Sequence, residues 1–333
     1  MNLSIAITSC NRMHYTKALL NSLKPISKAG AEIVLVDNCS TEEGLSEYLL
    51  SLEGTLINKL ELRTGNRDWI NDEYIAKNKL IELSSNEVIL FLQDDCQFVA
   101  PPEVLKSYVD DFCQMNALSM SIAGVRKSTL KNWTQNSELL YSSDKKRKYW
   151  HNRMDHFSTT GLFKAETFKV LGPQPVNWPS AREYWGRSED YYDQLVTQKY
   201  SGQYVKSVIS HVPLYCAIWN DPRGGYAFIR DDHRYGHYLT PTDESHLYYK
   251  ILSSEYIESL MKENQPASFV DVANPLGWHY ARQNDGDQLK YGQDRIMREG
   301  PKTIISTGKL VDLEIEEPQN VDSYLKDWLS DNT

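Results

Sequence analysis

Apolar runs and helical patterns alternate along the first hundred residues of the chain. Strands are predicted at 3–8, 32–36, 59–63 and 87–92. Helices are predicted between them, at 17–23 with a stop at Pro25, around 45–50 after a Ser40–Thr41–Glu43 cap, and at 73–83. Strands that are apolar on both faces and alternate with helices are typical of a parallel sheet covered on both sides. The pattern therefore predicts an α/β fold.

Polar side chains cluster where three of these strands end. Thr8–Arg12 follow the first strand, Asp37–Thr41 follow the second, and Asp94–Asp95 follow the fourth. In open α/β sheets, ligands bind beyond the carboxyl ends of the strands. We therefore expect a binding site at this edge of the sheet.

Two adjacent acids at the tip of a buried strand are costly, because their repulsion and desolvation must be offset by a cation or by donor groups. A Mg²⁺ or Mn²⁺ ion bound to a diphosphate offsets both, since such an ion takes one or two carboxylates and completes its shell with phosphate oxygens and water. Asp95 is therefore a candidate metal ligand, and Asp94 a candidate partner of a sugar hydroxyl. Alternatively, one of the two acids caps a helix at 102–109.

Two further carboxylates stand at element boundaries. Asp37, followed by Asn38, ends the second strand, where it can accept a hydrogen bond from a nucleotide or act as an ordinary turn residue. Ser188–Asp190 open a helical stretch that runs to Tyr200. An acid at that point fits either a general base aimed at an acceptor hydroxyl or a helix cap favoured by the helix dipole.

Composition argues against several classes of protein. The 333 residues carry 45 acidic and 36 Lys or Arg side chains, a net charge of -9, which argues against binding of duplex nucleic acid. Five cysteines without a Cys-x-x-Cys pair indicate reduced thiols. The chain shows no signal-peptide pattern and no apolar stretch near the roughly 18 residues of a membrane span. These features predict a soluble, cytoplasmic protein.

The second half of the chain is less regular. Residues 126–153, with the basic run Lys145–Lys148, are expected to form a loop that is either solvated or open to an anionic acceptor. Beyond residue 240, a helix is predicted at 244–264, whose mixed apolar stripe can pack on the rest of the protein or form a homo-oligomer. We expect a domain at 1–240, with halves at 1–100 and 101–240, and an extension at 241–333.

Several motifs occur in the order found in one enzyme family. The segments 4–12, 32–41, 76–78 and 90–95 resemble the nucleotide-binding half of family 2 glycosyltransferases with the GT-A fold. Downstream, 161–172 and 185–190 resemble the acceptor half of the same family. The resemblance covers about residues 1–215 and implies a Rossmann-like, mostly parallel mixed sheet with helices on both faces.

The resemblance assigns roles to particular residues of this chain. The residues that it implies contact the nucleotide are Thr8, Asn11, Arg12, Asp37, Asn38, Asn78 and Asp94. Asp95 takes the place of the metal-binding acid, and Asp190 that of the catalytic base, with Glu189 beside it. Acceptor or sugar contacts fall to Trp185 and Arg187.

The chain departs from the family pattern at two points. Gln93 stands where the family has the first acid of its Asp-x-Asp motif. His211 is the nearest candidate for a further metal or phosphate ligand, and His233 and His237 are its rivals.

The resemblance implies transfer of a sugar from a nucleotide diphosphate donor, a UDP-sugar above all, to a glycan, a lipid-linked or another hydroxyl acceptor. The expected cofactor is Mn²⁺ or Mg²⁺, and a single displacement inverts the anomeric carbon. A retaining enzyme of the same fold and a non-catalytic nucleotide- or carbohydrate-binding relative are the alternatives. A sugar-nucleotide pyrophosphorylase is disfavoured, because its glycine-rich phosphate loop is replaced here by Thr8–Arg12.

Overall fold

A computed structural model describes much of the chain. It covers residues 1–65, 71–124, 130–131, 134–135, 138–152, 161–174, 188–200, 205–217, 237–241, 247, 249–272, 278–282, 295–299, 302–306 and 310–315. The strands are β1 (Leu3–Ser9), β2 (Glu32–Asp37), β3 (Lys59–Leu62), β4 (Val88–Gln93), β5 (Cys96–Phe98), β6 (Ala117–Ser121), β7 (Ala123–Gly124), β8 (Leu139–Tyr141), β9 (Lys148–His151), β10 (Gly161–Lys164), β11 (Val205–Ser210), β12 (Tyr215–Ala217), β13 (His237–Pro241), β14 (Trp278–Arg282), β15 (Arg295–Glu299), β16 (Lys302–Ser306) and β17 (Leu310–Ile315). The helices are α1 (Met13–Lys28), α2 (Leu45–Leu52), α3 (Asp72–Leu83), α4 (Pro102–Gln114), α5 (Ala165–Leu171), α6 (Ser188–Tyr200), α7 (Ser254–Met261) and α8 (Phe269–Val272).

Within the described ranges, the main sheet has nine strands in the order β3-β2-β1-β4-β10-β6-β11-β9-β8. Strands β3, β2, β1 and β4 are parallel neighbours, and β6 and β11 run in the same direction. Strands β10 and β9 run against them. Three small sheets, β5-β12-β7, β13-β14 and β15-β16-β17, accompany it. The sheet confirms the expected mixed, mostly parallel architecture.

Alternate residues of the central strands enter two separate cores. In β1, Ile5 and Ile7 pack on the face covered by α1, α2 and α4, whereas Ala6 packs on the face covered by α3, α5 and α6. The same alternation holds in β4 for Leu90 and Phe91. Complete burial of one such aliphatic or aromatic side chain stabilises the fold by about 1.5–3 kcal/mol. The continuous apolar runs in the sequence are therefore explained by burial on both faces.

Helix α1 continues through Pro25, so the predicted stop at that residue was wrong. A proline inside a helix costs about 3 kcal/mol relative to alanine. Leu23 and Ile26 flank it and are completely buried in the first core. Tertiary packing of this turn thus outweighs the local penalty.

The predicted cap of α2 was also wrong. The helix begins at Leu45 after Gly44, which has a φ of 78° and gives no side-chain cap. Ser40 instead bonds to Asp37, with 2.5 Å between its Oγ and Asp37 Oδ1. Glu42 Oε2 accepts a hydrogen bond from the Met13 amide at 2.8 Å, so this loop caps α1 rather than α2.

Two further expectations fail in the second half. Segment 126–153, expected as a loop, includes the antiparallel pair β8–β9 at the edge of the main sheet. In the described part of the predicted helix at 244–264, residues 249–253 are not helical, and the helix present is α7, which is capped by Ser253 through a hydrogen bond from the Tyr256 amide at 3.2 Å.

Gly161 allows β10 to enter the sheet between β4 and β6. Its φ is +136°, a conformation that L side chains rarely adopt, and a Cβ there would lie 2.5 Å from the carbonyl oxygen of Met120. Only glycine permits this approach without displacement of the backbone. Strand β10 can therefore join the parallel strands of the first half to those of the second.

Part of the region beyond residue 240 packs on the main core. Tyr249, Leu252 and Ile257 are buried in the first core. The Gln97 side-chain amide donates to the Tyr249 carbonyl at 2.8 Å and accepts from the Tyr249 amide at 3.0 Å. The Leu252 amide donates to the carbonyl of Val99 at 2.8 Å. In the described residues, no helix combines the length and apolarity needed to cross a membrane.

Candidate functional site

The polar edge of the sheet lies where β2, β1 and β4 end side by side. Ser9 is in register with Asp37, and Thr8 is in register with Gln93. The amide of Asp94 donates to the Thr8 carbonyl at 3.0 Å. Cys10 connects all three ends, since its amide donates to Asp94 Oδ2 at 3.0 Å and its thiol to the Asn38 carbonyl at 3.3 Å. The predicted grouping of polar residues at this edge is thus present in the structure.

Asn11 fixes the turn that follows β1. Its Oδ1 accepts hydrogen bonds from the amides of Thr41 at 2.7 Å and Glu42 at 3.0 Å, and its own amide donates to Ser40 Oγ at 2.7 Å. Asn11 and Arg12 have φ values of 49° and 73°, in the left-handed region. Such residues persist where the surroundings determine them, and they concentrate at functional sites. The turn thereby places Arg12 at the N-terminus of α1, beside the end of β4.

The acid pair, Asp94 and Asp95, faces the guanidinium of Arg12. Nη2 of Arg12 binds Asp94 Oδ1, and Nη1 lies 3.1 Å from Asp95 Oδ2. The side chains of Asp94 and Asp95 are only 1% and 8% exposed, against 23% for Arg12. One arginine therefore serves two buried carboxylates, and neither acid caps α4, whose N-cap position is Pro101.

Among the described residues, one arginine faces the two carboxylates of this cluster, so their charge is incompletely neutralised. Burial raises the pKa of Asp94 to about 7, with a further increase from the Asp95 carboxylate, against the lowering effect of Arg12. Burial alone would lower the pKa of Arg12, but the two carboxylates raise it above its usual value. An additional cation at this point would stabilise both acids.

The acid pair fits a divalent cation in one specific way. Both oxygens of Asp94 are engaged, by Arg12 and by the Cys10 amide. Oδ2 of Asp95 contacts Arg12, whereas among the described residues Oδ1 has only the thiol of Cys96 at 3.9 Å. Oδ1 of Asp95 can therefore ligate a metal ion, whose other positions phosphate oxygens and water can fill. In the described parts of the chain, no three His, Cys, Asp or Glu side chains form a metal-binding group.

His211 lies beyond the end of β11 in an apolar setting. Its ring packs edge-on against Trp150, with 5.0 Å between the ring centroids, and its carbonyl accepts the Ala267 amide at 2.8 Å. Burial lowers the pKa of His211 to about 4, with a further contribution from Lys148 and a partial offset by the Gln265 backbone. His211 does not join Asp94 and Asp95 in a three-residue metal group. Its metal role stays a prediction.

Asp37 and Asn38 are held by neighbours at the end of β2. Asp37 accepts from the amide and hydroxyl of Ser40, at 3.0 Å and 2.5 Å. Oδ1 of Asn38 accepts from Arg63 at 2.6 Å, and the same Arg63 nitrogen lies 2.9 Å from Asp72 Oδ1. Arg63, which directly follows β3, was not predicted as a site residue.

Asn78 lies away from these contacts. Its side-chain amide donates to the Gln174 carbonyl and accepts from the Gln174 amide, both at 2.8 Å. It thus ties α3 to the segment after α5. Its predicted nucleotide contact is untested.

Helix α6 is present as predicted, from Ser188 to Tyr200. Tyr192 donates to the Gly172 carbonyl at 3.3 Å, and Val196 is buried in the second core. These contacts anchor the middle of the helix beside α5. The side chains of Glu189 and Asp190, together with Trp185, Arg187 and His233 and the side chain of His237, lie outside the described part of the structure.

Three solved structures resemble the chain in part. S. aureus TarS 1–349 is 19% identical with a TM-score of 0.47, over 65% of this chain and 60% of that one. The same fragment in complex with UDP-GlcNAc is 17% identical with a TM-score of 0.46, over 65% and 58%. The mannosyltransferase PcManGT from Pyrobaculum calidifontis, in complex with GDP-Man and Mn²⁺, is 16% identical with a TM-score of 0.42, over 62% and 56%. The chain thus spans less than two thirds of the length of each.

No curated protein matches the chain significantly. The model of the family described as Glycosyl transferase family 2 matches residues 4–172, slightly more than half of the 333 residues. The matched segment includes β1 to β4, the acid pair and β10, and with the mixed nine-stranded sheet it confirms the expected GT-A fold. The chain belongs to glycosyl transferase family 2.

Proposed function

We propose that the protein transfers a sugar from a nucleoside diphosphate donor, with UDP favoured, to an acceptor hydroxyl. The observation that carries the proposal is the acid pair, which lies at the carboxyl end of β4 with one arginine for two buried carboxylates. The divalent cation that accompanies a diphosphate would supply the positive charge that the described residues of this cluster lack. A hydroxyl of a glycan, a lipid-linked sugar or another molecule serves as acceptor.

Donor binding uses the edge formed by β2, β1 and β4. Asp37 and Asn38 lie at the end of β2, where they can contact the base and ribose, and Thr8 and Asn11 line the adjacent strand end. Asp95 Oδ1 would hold Mn²⁺ or Mg²⁺, which when bound neutralises charge on the departing diphosphate. Two left-handed residues fix the turn between β1 and α1, so the site is organised before the ligand arrives.

On the acceptor side, Asp190 is the general base and Glu189 its neighbour. Asp190 takes the hydroxyl proton as the acceptor oxygen attacks the anomeric carbon from the face opposite the diphosphate. One displacement inverts that carbon. The anchoring of α6 against α5 supports a fixed position for this first helical turn.

A thermal-shift panel tests donor binding. UDP, GDP, CDP and TDP are each measured with Mn²⁺, Mg²⁺ or EDTA, because a ligand that binds the native state raises its melting temperature. We expect a metal-dependent increase with UDP. A folded protein that shows no shift with any nucleotide contradicts the proposal.

Replacement of the general base tests the acceptor side. Asp190→Asn should lower the transfer rate by about 10²- to 10⁴-fold, because a positioned base contributes that much. Donor affinity should stay unchanged. The surface change Asp110→Asn is the matched control, and wild-type turnover in Asp190→Asn excludes the base role. NMR of the product anomer separates inversion from retention.

A further inference from the structure

Arg12 is the most exposed of the three charged side chains in the cluster with Asp94 and Asp95. Its two terminal nitrogens bind different acids, so one guanidinium bridges both carboxylates. A cation that approaches Asp95 therefore meets a positive charge already bound to that carboxylate.

The backbone of Arg12 is fixed, whereas its side chain is long and has several rotatable bonds. The Arg12 carbonyl accepts the amides of Tyr15 at 3.0 Å and Thr16 at 3.1 Å, in the first turn of α1. Asn11 holds the preceding residue through two hydrogen bonds at its Oδ1. The guanidinium can thus leave the acids by rotation of the side chain, with no change in the turn that carries it.

We propose that Arg12 is an internal counterion that competes with the divalent metal for Asp95 and is released when the donor diphosphate offers it another anion. This inference rests on the proposed function. Metal alone binds weakly, because two cations at one carboxylate repel each other. Diphosphate and metal bind tightly together, because the diphosphate accepts both cations. Metal and nucleotide therefore each strengthen the binding of the other, as reciprocity of binding free energies requires.

The metal affinity of the nucleotide-free protein tests this inference. The electron paramagnetic resonance signal of free Mn²⁺ is titrated with wild type, Arg12→Gln, Arg12→Lys and the control Lys17→Gln. Lys17 lies on the same helix, 5.2 Å from the Tyr48 ring, so its loss removes the same charge without touching the acid pair. Melting curves without ligand check the folding of each variant.

We expect Arg12→Gln to bind Mn²⁺ about tenfold more tightly than wild type, within the ordinary range of coupling between ligands. The Mn²⁺ affinity of Arg12→Lys should lie between those of wild type and Arg12→Gln, because an amine keeps the charge but lacks the forked guanidinium that bridges both acids. If Arg12→Gln does not fold, Arg12→Lys carries the test. Equal Mn²⁺ affinities in wild type and the Arg12 variants, or the same gain in Lys17→Gln, overturn the inference.

A second arm separates this inference from the proposed function. The melting shift caused by UDP is measured with Mn²⁺ and with EDTA, in wild type and Arg12→Gln. A smaller dependence of the UDP shift on metal in Arg12→Gln supports release of the arginine. No UDP shift in wild type overturns the UDP assignment alone, because the Mn²⁺ titration still decides the role of Arg12. No Mn²⁺ binding by any variant, with or without UDP, overturns both the metal assignment and the inference.

Discussion

Arg12 and Arg147 bind buried carboxylates in different parts of the fold, and they differ in the number of buried acids that each one serves. Arg12 serves Asp94 and Asp95 at the end of β4. Arg147 makes a two-point pair with one buried acid, Asp111, with 2.5 Å from Nε to Oδ2 and 3.1 Å from Nη2 to Oδ1.

The Asp111 cluster consists of Asp111, Arg147 and Tyr149, and it joins α4 to β9. The Tyr149 hydroxyl donates to Asp111 Oδ2 at 2.5 Å, and the Tyr149 ring packs edge-on against Tyr108 at 5.7 Å. Burial raises the pKa of Tyr149 above its usual value, so its hydroxyl remains a donor. Each oxygen of Asp111 has a donor, and the buried charges of Arg147 and Asp111 cancel.

The two clusters illustrate two different roles of a buried ion pair. A balanced pair whose hydrogen bonds are complete fixes the position of two elements and has no need of a further ion. An unbalanced group, in which one carboxylate oxygen has no more than a long thiol contact among the described residues, is incomplete until a cation arrives. Charge balance thus distinguishes the group that holds the fold from the group that we propose binds a ligand.

The largest expected effect concerns the unbalanced group. Asp95→Asn should weaken metal-dependent nucleotide binding by about 100-fold, since the carboxylate that meets the metal is gone and each factor of ten corresponds to about 1.4 kcal/mol. The melting temperature without ligand should stay the same or rise, because one of two repelling acids is neutralised. The thermal-shift panel measures both. The control is Asp144→Asn, an exposed acid beside Arg147, and equal binding in Asp95→Asn and this control removes Asp95 from the site.

A mutation in the balanced Asp111 cluster should lower stability and leave ligand binding unchanged. Asp111→Asn leaves Arg147 without its buried partner, and breaking such a pair costs about 3 kcal/mol of the free energy of unfolding. Nucleotide affinity of the folded fraction should not change. Urea denaturation gives the first quantity and titration of the folded protein the second. A loss below about 1 kcal/mol, a value typical of surface pairs, contradicts the assigned structural role.

The third expected effect is a pH dependence of stability at the unbalanced group. The folded-state pKa of Asp94 is about 7, above the usual value of 3.8, so the folded protein binds this proton more tightly than the unfolded chain. Asp94 therefore favours folding at low pH, and that contribution decreases as the pH rises from about 4 to 7, by at most about 1.4 kcal/mol per pH unit. The melting temperature of wild type minus that of Asp94→Asn should fall over this range and level off above it. If this difference in melting temperature is constant with pH, the raised pKa of Asp94 is contradicted.

Elements with buried apolar runs were predictable from the sequence, because burial on both faces leaves a continuous signal. Strands β1, β2 and β4 and helix α3 lie where the pattern indicates. Helix α1 passes Pro25 because Leu23 and Ile26 gain more from the core than the proline costs. Strand β9 was missed because its start lies inside the basic run Lys145–Lys148, and its burial depends on partners far along the chain.

The members of the candidate site were predictable, but their interactions were not. The acid pair and Asp37 could be recognised in the sequence because they are polar residues at the ends of apolar strands. The bridge from Arg12 to Asp94 spans 82 residues and depends on two left-handed residues that no pattern shows. Arg63 follows a weaker strand, and its contact with Asn38 depends on the parallel pairing of β2 and β3.

The hydrogen bonds between Gln97 and Tyr249 have a consequence for biosynthesis. The two residues are 152 positions apart, and a ribosome adds about 5–20 residues per second, so roughly 8–30 s pass between their translation. During that interval the strands from β1 to β4 can already pair, whereas the two hydrogen bonds that join Gln97 to Tyr249 cannot form until Tyr249 is translated. The strand ends that carry the acid pair can thus be in place before the segment that packs beside Gln97 exists.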